Sequence, residues 1–516
     1  MSHRISRGPS SSLYVINNFA NELHIHFRLR VTFIARILCI SCLLICLSIK
    51  KDPKQLYRSE TKTSIERHTV NEFDTEDEHE GGFWAWATVV SAFLLQCTGF
   101  GYSNAYGVYQ DFYVREFLTT STSSQISWIG STQSFLMLTM GIFTGPLFDR
   151  GYCYHLIITG SILLISCLFL LSLAQPEKYY QVFLVQGLGV GIGSSLTYLP
   201  SMAVLAHHFK KPHTRARAMC IAVAGSSFGG LLHPIMLNYL FHRSSNPHAD
   251  FVLGVRASAG VIAGLQVISI LLLRTKYPNK NGDGIDSNAT LEVTSEGSPH
   301  EKKGDRSMSR GLTNFGSTVK KFASDWPYVS MVFGLILYEM VFFFPCFYLQ
   351  LDAITHGLNS SFAFFSLSIL NGSSFVGRLV PGFFAKRFGV ANMFLFSTFC
   401  VTIMMFCFVA VRTVTGVVIF AVLYGFFSGC FVTLMSPLLA QFAENPGELG
   451  ARMGLCFAFT GMGSLIGTPI SGALLTKNFI WWRPIIFNGL LCLTGFCAFT
   501  VCRILLGRRN GATWII

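Results

Sequence analysis

The sequence predicts an all-α membrane protein whose twelve transmembrane helices form two six-helix bundles. Hydrophobic residues make up 51% of the 516 residues, and charged residues only 13%. A soluble chain of this length carries about twice that charged fraction, because its surface must face water. From Trp84 onward, apolar runs of about 20 residues alternate with polar breaks. A helix of that length spans a hydrocarbon core about 30 Å thick.

The apolar runs divide into two sets of six. The first set is expected at 84–109, 127–147, 154–174, 181–205, 217–240 and 252–273. The second set is expected at 327–350, 362–384, 390–411, 416–441, 453–475 and 484–506. The long break between them is rich in Asn, Ser, Gly, Lys and Glu, which predicts a linker that is disordered or helical only at its ends. The predicted domains are an N-terminal bundle at 80–273, a linker at 274–325, and a C-terminal bundle with a short tail at 326–516.

An N-terminal extension, 1–79, precedes the bundles. It contains an apolar stretch at 31–49 that is interrupted by Arg36 and flanked on both sides by basic residues. This stretch either crosses the membrane as an extra helix, lies at the membrane interface, or belongs to a segment appended by an erroneous gene model. The flanking charges do not assign it an orientation.

Charge and cysteine placement exclude other classes of protein. The net charge of +13 comes mostly from Lys and Arg in short segments between apolar runs, which is the pattern of a membrane protein and not of a nucleic-acid-binding one. The fifteen cysteines are scattered, many of them in apolar stretches, and no paired metal-ligand spacing occurs. The sequence also lacks a catalytic triad, an HExxH motif and an acidic metal cluster. We therefore expect no enzyme activity, no cofactor and no metal site.

The same charges orient the bundles. Basic residues concentrate after the fourth and eighth runs, in the linker and in the C-terminal tail, whereas the opposite loops hold only a sparse set, chiefly Arg115, Lys178, Arg243 and Arg412. The linker and both ends of the 80–516 region are therefore expected in the cytoplasm. In that topology only one of three N-glycosylation sequons, the one at Asn359, meets the glycosylation machinery. We expect a glycoprotein modified there.

An internal repeat relates the two halves. The segments 145–150 (GPLFDR) and 382–387 (GFFAKR) follow the second and eighth apolar runs and start 237 residues apart. The segments 217–234 and 452–469 each run from an arginine to a proline and start 235 residues apart. Parallel six-helix repeats of this kind are typical of the major facilitator fold.

Several motifs then resemble the monocarboxylate-transporter-like family of the major facilitator superfamily, in its fungal form. They are Glu80-Gly-Gly-Phe-Trp-Ala-Trp86, Gly145-x-Leu-x-Asp149-Arg150, the run from His207 through Arg217 to Gly229, the run from Asn371 through Arg378 to Gly382, and the run from Arg452 to Gly472. The resemblance covers about residues 80–507. It implies a secondary transporter that works by alternating access.

The resemblance also has departures. Animal proton-linked members carry a lysine in helix 1, which this chain lacks. They carry an aspartate four residues before the helix 8 arginine, where this chain has Ser374. The second loop signature has Lys386 where aspartate is usual. The family's solutes include lactate-like acids, and fungal relatives resemble riboflavin carriers and efflux proteins of metabolite clusters.

Arg378 is the leading candidate for a solute contact. It lies eight residues before Lys386, about 12 Å along a helix, and therefore within the membrane. Asn371, Ser374 and Arg378 share one helical face. A charge at that depth requires a polar cavity or a partner. Arg378 either anchors an anionic or polar solute or is a structural arginine neutralised by a neighbouring helix.

Glu339 and His233 are further titratable candidates within apolar runs. Glu339, in the seventh run, is either a partner of Arg378 and proton acceptor or a locally paired carboxylate. His233, beside Pro234 in the fifth run, is either a proton-linked group or a satisfied hydrogen-bonding residue.

A polar stripe in the first run supplies the remaining candidates. Gln96, Ser103 and Tyr106 share a face, and Asn104 lies beside them. Lipid cannot satisfy polar groups, so the stripe should face the protein interior. These residues either bind solute or hold helices together.

Two other features relate to movement between the bundles. By the resemblance, Gly145, Asp149 and Arg150 belong to a conformational latch on the cytoplasmic side. Alternatively, these residues only cap the loop and supply a charge that orients the protein in the membrane. Glycines recur four residues apart in several runs, at Gly225 and Gly229 for example, which allows helix backbones to approach closely.

The expected function is therefore secondary transport of a small organic solute, a monocarboxylate, vitamin or secondary metabolite, in either direction. Proton coupling is left open, as is the choice between plasma and vacuolar membrane, with the plasma membrane favoured. The alternative is a non-transporting nutrient sensor on the same scaffold. The lipid bilayer is the expected surrounding, and no nucleic-acid partner is expected.

Overall fold

The computed structural model describes residues 82–209, 212–244, 246–275, 320–442, 446–476 and 478–509. Within these ranges the side chains of Pro146, Asp149, 212–213, 385–386 and 446–451 are not described. All of the described ranges belong to one compact unit, Glu80–Ile516. The apolar stretch at 31–49 and most of the predicted linker lie outside the described residues, and the predicted domain division stays a prediction.

Every regular element in the described ranges is a helix, in agreement with the predicted fold class. The N-terminal half contains α1 Phe83–Phe117, α2 Ser123–Thr139, α3 Cys153–Leu171, α4 Tyr179–His207, α5 Pro212–Phe241 and α6 Pro247–Leu272. The C-terminal half contains α7 Trp326–Thr355, α8 Ser360–Leu379, α9 Val390–Ala410, α10 Val414–Ala440, α11 Pro446–Leu475 and α12 Trp482–Arg509.

Eleven of these helices are long and apolar enough to cross a membrane. The second predicted segment differs, because its helix breaks at Met140 and continues as Gly141–Asp149. α8 continues in a similar way as Pro381–Phe388. The described ranges thus contain eleven candidate membrane helices and one further segment, the second, which is built from two shorter helices.

Two helices extend past their predicted ends. The first run was expected to stop at residue 109, but α1 continues to Phe117, its last part in wider π-helical turns. α7 continues from the expected end at residue 350 to Thr355. Polar residues near these ends, such as Asp111 and Gln350, resemble the start of a loop in sequence, yet both are fully buried in the structure.

The helix ends lie on two sides of the bundle, which we call the linker side and the far side. α6 ends at Leu272 and α7 begins at Trp326, so these helix ends define the linker side. Since successive segments run in opposite directions, the far side holds the loops 118–122, 172–178, 242–246, 356–359, 411–413 and 476–481. Asn359 lies on the far side, where its Oδ1 caps α8 by accepting a hydrogen bond from Ser361 N at 2.8 Å.

Glycines bring helix backbones into direct contact in the same way in both halves. A Cβ built on Gly225 or Gly229 of α5 would overlap a carbonyl oxygen of α1, and one on Gly463 or Gly467 of α11 would overlap a carbonyl oxygen of α7. The two glycine pairs are 238 residues apart in sequence. The internal repeat therefore has a counterpart in helix packing, with α5 on α1 matching α11 on α7.

The two halves meet tightly at the far side. Far-side parts of α1 and α7 touch so closely that a Cβ on Gly107 would overlap the carbonyl oxygen of Cys346. α2 and α11 also touch, since Ser124 Oγ donates to Pro469 O at 2.8 Å. In contrast, α4 and α10 share almost no packing in the part of the chain that the structure describes. The described residues therefore show a conformation that is closed at the far side.

Candidate solute-binding site

Arg378 is a buried cation with neutral partners. Its side chain is 2% exposed in α8. Nη1 donates to Val223 O at 3.0 Å and to Ser226 Oγ, both in α5, while Nε is buried without a hydrogen-bond partner. No carboxylate of the described ranges forms an ion pair with it. A buried charge without a counterion is costly. The choice between a solute anchor and a structural arginine stays a prediction.

The predicted face of α8 packs on α5. Ser374 Oγ accepts a hydrogen bond from Ser227 Oγ at 3.0 Å. Asn371 lies against Gly230, where an added Cβ would collide with the Asn371 amide. Both residues are buried, as is Arg378 one turn further along. The structure thus brings all three α8 candidates onto one neighbouring helix.

Asn104 of α1 contacts the same part of α5 as the three α8 residues. Its Nδ2 donates a long hydrogen bond of 3.5 Å to Ser226 O, and its Oδ1 is buried without a partner. Gly99 and Ala105 interrupt the regular helix on either side of it. Broken helices that expose polar groups at mid-membrane depth are typical of transporter sites. Six residues of α1, α5 and α8 form what we call the polar cluster: Asn104, Ser226, Ser227, Asn371, Ser374 and Arg378.

The other α1 candidates make helix-packing contacts within the N-terminal half. Gln96 Nε2 donates to Ser201 Oγ at 3.0 Å. Ser103 Oγ accepts from Gln133 Nε2 at 2.7 Å. Tyr106 donates to the carbonyl oxygen of Ile126 at 2.7 Å. These bonds account for the polar stripe, and a role of the three residues in solute contact stays a prediction.

Glu339 of α7 lies close to the polar cluster without contacting Arg378. It is 7% exposed and forms neither a hydrogen bond nor an ion pair with any described residue. One turn further along α7, Phe343 stacks on Phe100 of α1. Glu339 and Arg378 are thus both buried, and they form no ion pair within the described residues.

His233 of α5 lies against α1. Its ring packs edge-to-face on Tyr102, with the ring centroids 5.4 Å apart. It hydrogen-bonds to the backbone of Cys97, and its Nε2 is buried without a partner. These contacts all belong to the N-terminal half, and a proton-linked role for His233 stays a prediction.

Aromatic rings close the region between the halves. Phe100 of α1 stacks on Phe343 of α7 with centroids 6.2 Å apart, and it contacts Tyr198 at 5.7 Å. Sequence reasoning missed Tyr198, and it missed Ser226 and Ser227 as individual candidates. The two serines lie within the fifth-run motif that carried the family resemblance, so they could have been found there. Tyr198 has no comparable sequence signal.

The predicted latch is described only in part. Gly145 lies in the helix that continues α2, against Leu199 of α4, and Arg150 is exposed at the linker side. The side chain of Asp149 lies outside the described residues. The latch role of these three residues stays a prediction.

A helical membrane bundle with matched halves and buried polar residues between them is the architecture of many secondary transporters. The family model of the Major Facilitator Superfamily matches residues 88–411 and 331–512. The chain belongs to the major facilitator superfamily. It is an integral multi-pass membrane protein that transports small organic solutes and is not an enzyme.

Curated fungal relatives are similar over most of the chain. The aspyridones efflux protein apdF of Emericella nidulans is 33% identical over 85% of this chain and 81% of the relative. The agnestins efflux protein AgnL12 of Paecilomyces divaricatus is 32% identical over 79% of this chain and 84% of the relative. Among solved structures, the nucleoside transporter NupG (D323A mutant) matches with a TM-score of 0.57 at 14% identity, over 81% of this chain and 99% of NupG. That match shows the fold.

Proposed function

We propose that this transporter exports an acidic organic metabolite and is a monocarboxylate-transporter-like member of its superfamily. The observation that carries the proposal is Arg378, a buried cation that lacks a carboxylate partner within the described residues. Isolated cations in the membrane are rare and face a polar path or a ligand. An anionic solute would supply the missing counter-charge.

The polar cluster and the aromatic rings beside it offer groups that would bind an acidic organic solute. The unpartnered Nε of Arg378 is available for a charge-assisted hydrogen bond, which is stronger than a neutral one. Asn104, from α1, offers an unpartnered amide oxygen to the polar part of the solute. The aromatic rings of Phe100, Phe343 and Tyr198 would contact its apolar part.

Two observations favour export. The relatives described above are named efflux proteins for fungal metabolites. The conformation is closed at the far side, and the charge pattern assigns the opposite, linker side to the cytoplasm. A transporter in that conformation accepts cargo from the cytoplasm and releases it after rearrangement, and we place it in the plasma membrane.

We further propose that Glu339 carries the coupled proton. It is a buried carboxylate without an ion-pair partner in the described ranges, on the helix whose Phe343 stacks on Phe100 of α1. In proton-linked animal relatives the corresponding carboxylate lies on helix 8, where this chain has Ser374. Glu339 would supply from α7 the proton-binding group that α8 lacks.

The proposed cycle uses the two predicted bundles, 80–273 and 326–516, joined by the 274–325 linker. Solute and proton would occupy the polar cluster and Glu339 between the bundles. The bundles would then rock so that the linker side closes and the far side opens. Close glycine contacts, such as the contact of Gly467 in α11 with the backbone of α7, keep each half rigid while it moves.

Comparative metabolite analysis tests the proposal. Cells with and without the gene are grown in parallel, and metabolites of the medium and the cell extract are quantified. We expect compounds that accumulate inside the deletion strain to carry an acidic group and to bind an anion exchanger at neutral pH. Accumulation of only neutral or cationic compounds would refute the anionic-solute assignment, and depletion inside the cells would refute the export direction.

A further inference from the structure

A second polar network lies at the far side, apart from the polar cluster. It consists of Asp111 of α1, Asn238 of α5 and Gln350 of α7, which are 0%, 2% and 0% exposed. Three buried polar side chains in this position need a reason, because apolar residues would seal the bundle without unmet hydrogen bonds. Neither the solute site nor the proposed proton path uses them.

The hydrogen bonds of this network all cross between the two halves. Gln350 Nε2 donates to Asp111 Oδ2 at 3.0 Å and to Asn238 Oδ1 at 2.9 Å. Asn238 Nδ2 donates in return to Gln350 Oε1 at 3.2 Å, and to Phe364 O of α8 at 3.1 Å. One amide pair and one carboxylate thus tie two helices of the N-terminal half to two helices of the C-terminal half.

We propose that Asp111, Asn238 and Gln350 form the far-side gate, a hydrogen-bonded closure that must break for solute to leave on that side. The gate lies where α1 and α7 touch, while α4 and α10 are apart at the opposite end. Its bonds therefore stabilise the conformation that is closed at the far side.

The charge arrangement makes this closure reversible. Asp111 forms a two-bond ion pair with Arg115 of its own helix, with both N–O distances 2.6 Å. When the halves separate, Asp111 keeps this partner, and the groups that lose partners are neutral amides that water can solvate. A salt bridge between the halves would instead leave two unpaired charges and hold the gate more firmly. The proposed gate thus has a specific geometry, and its opening leaves Asp111 paired with Arg115.

The ring of His242 covers the gate towards the far side. It packs on Phe364 with centroids 4.4 Å apart, again across the two halves. Glu116 lies 3.7 Å from the same imidazole and 3.8 Å from the Arg115 guanidinium. Opening of the gate therefore exposes a partly charged far-side surface, which favours entry of water once the amide pair has broken.

Hydrogen–deuterium exchange of the full-length protein in lipid nanodiscs tests the gate. We expect Gln350→Leu to speed exchange at the far-side ends of α1 and α7 and to slow it at the linker-side ends of α4 and α10. The loss of these bonds should raise the population open to the far side on the order of tenfold. A merely structural residue would not produce opposite changes at the two ends.

Gln186→Leu is the matched control. Gln186 is also buried, but its amide oxygen accepts from Tyr113 within the N-terminal half. We expect this variant to lower stability without shifting exchange between the two sides. If Gln350→Leu raises exchange at both ends, or changes neither end, the gate assignment is wrong.

A charge variant gives a second test if the leucine variant does not fold. Gln350→Glu places a carboxylate against Asp111, and the repulsion should open the far side at neutral pH and relax in acid. Unchanged exchange at the far-side ends of α1 and α7 across that pH range would overturn the proposal. The readout does not depend on solute identity, so it can fail while the proposed export function stands.

Discussion

Replacing Arg378 with methionine would remove the charge and keep a flexible apolar side chain of similar length. In the transport-competent site, we expect the guanidinium to give the solute one charge-assisted hydrogen bond from its unpartnered Nε. Such a bond contributes about 1.5–3 kcal/mol. Its loss corresponds to a decrease in affinity of about tenfold to a hundredfold. The Michaelis constant for the acidic solute should rise by that factor.

The same substitution should leave the fold intact. Ser226 Oγ donates to Val223 O at 2.7 Å and so keeps a partner when the arginine is removed. Replacement of a buried charge by an apolar side chain is often neutral or stabilising, because the desolvation cost disappears. Arg378→Met should therefore reach the membrane at wild-type abundance, which size-exclusion chromatography of the purified protein would verify.

Two further variants separate charge from position. Arg378→Lys retains the charge but not the planar donor arrangement, and it should fall between wild type and methionine. Arg256→Met is the control, because Arg256 is exposed on α6 and donates to Ser172 Oγ outside the site. Unchanged kinetics in Arg378→Met, with normal abundance, would remove Arg378 from the solute site and would leave its burial as a packing feature.

Three other substitutions test separate parts of the structure. Glu339→Gln should abolish stimulation of transport by a proton gradient while solute exchange without a gradient persists; intact stimulation would exclude Glu339 as the proton carrier. Gly467→Ala should destabilise the protein by about 1–3 kcal/mol, because the new Cβ overlaps Met340 O. Gly454→Ala in the same helix has open space and should be nearly neutral in the same thermal-unfolding assay. Asn359→Gln should abolish the electrophoretic shift caused by enzymatic deglycosylation, whereas a shift that survives would place the sugar elsewhere.

The positions of the helices were largely predictable from the sequence, because the lipid bilayer restricts which residues a membrane helix can contain. A membrane segment must satisfy its backbone internally and present apolar side chains, so long apolar runs mark helices directly. The exceptions are informative. α1 was predicted to end at 109 because Asp111 and Arg115 resemble a loop, yet the helix continues because each charge neutralises the other one turn away. Local composition does not reveal such a pairing.

The site was predictable in part for a related reason. Helical periodicity placed Asn371, Ser374 and Arg378 on one face, and the structure shows that face on α5. Periodicity does not identify the neighbour, so the contributions of Ser226 and Tyr198 were missed. Periodicity also could not show that Asn104 belongs to the polar cluster while other polar residues of α1 form hydrogen bonds only within the N-terminal half.

By itself, the sequence determined the all-helical membrane fold, its two repeated halves and the buried arginine, since these follow from hydropathy and spacing along one chain. Only the tertiary structure decided which polar groups meet across the halves and which side of the bundle is closed. It also decided that no carboxylate of the described residues pairs with Arg378. Those properties depend on contacts between residues more than a hundred positions apart, as for Asn238 and Gln350. The periodicity of a single helix contains no information about such distant partners.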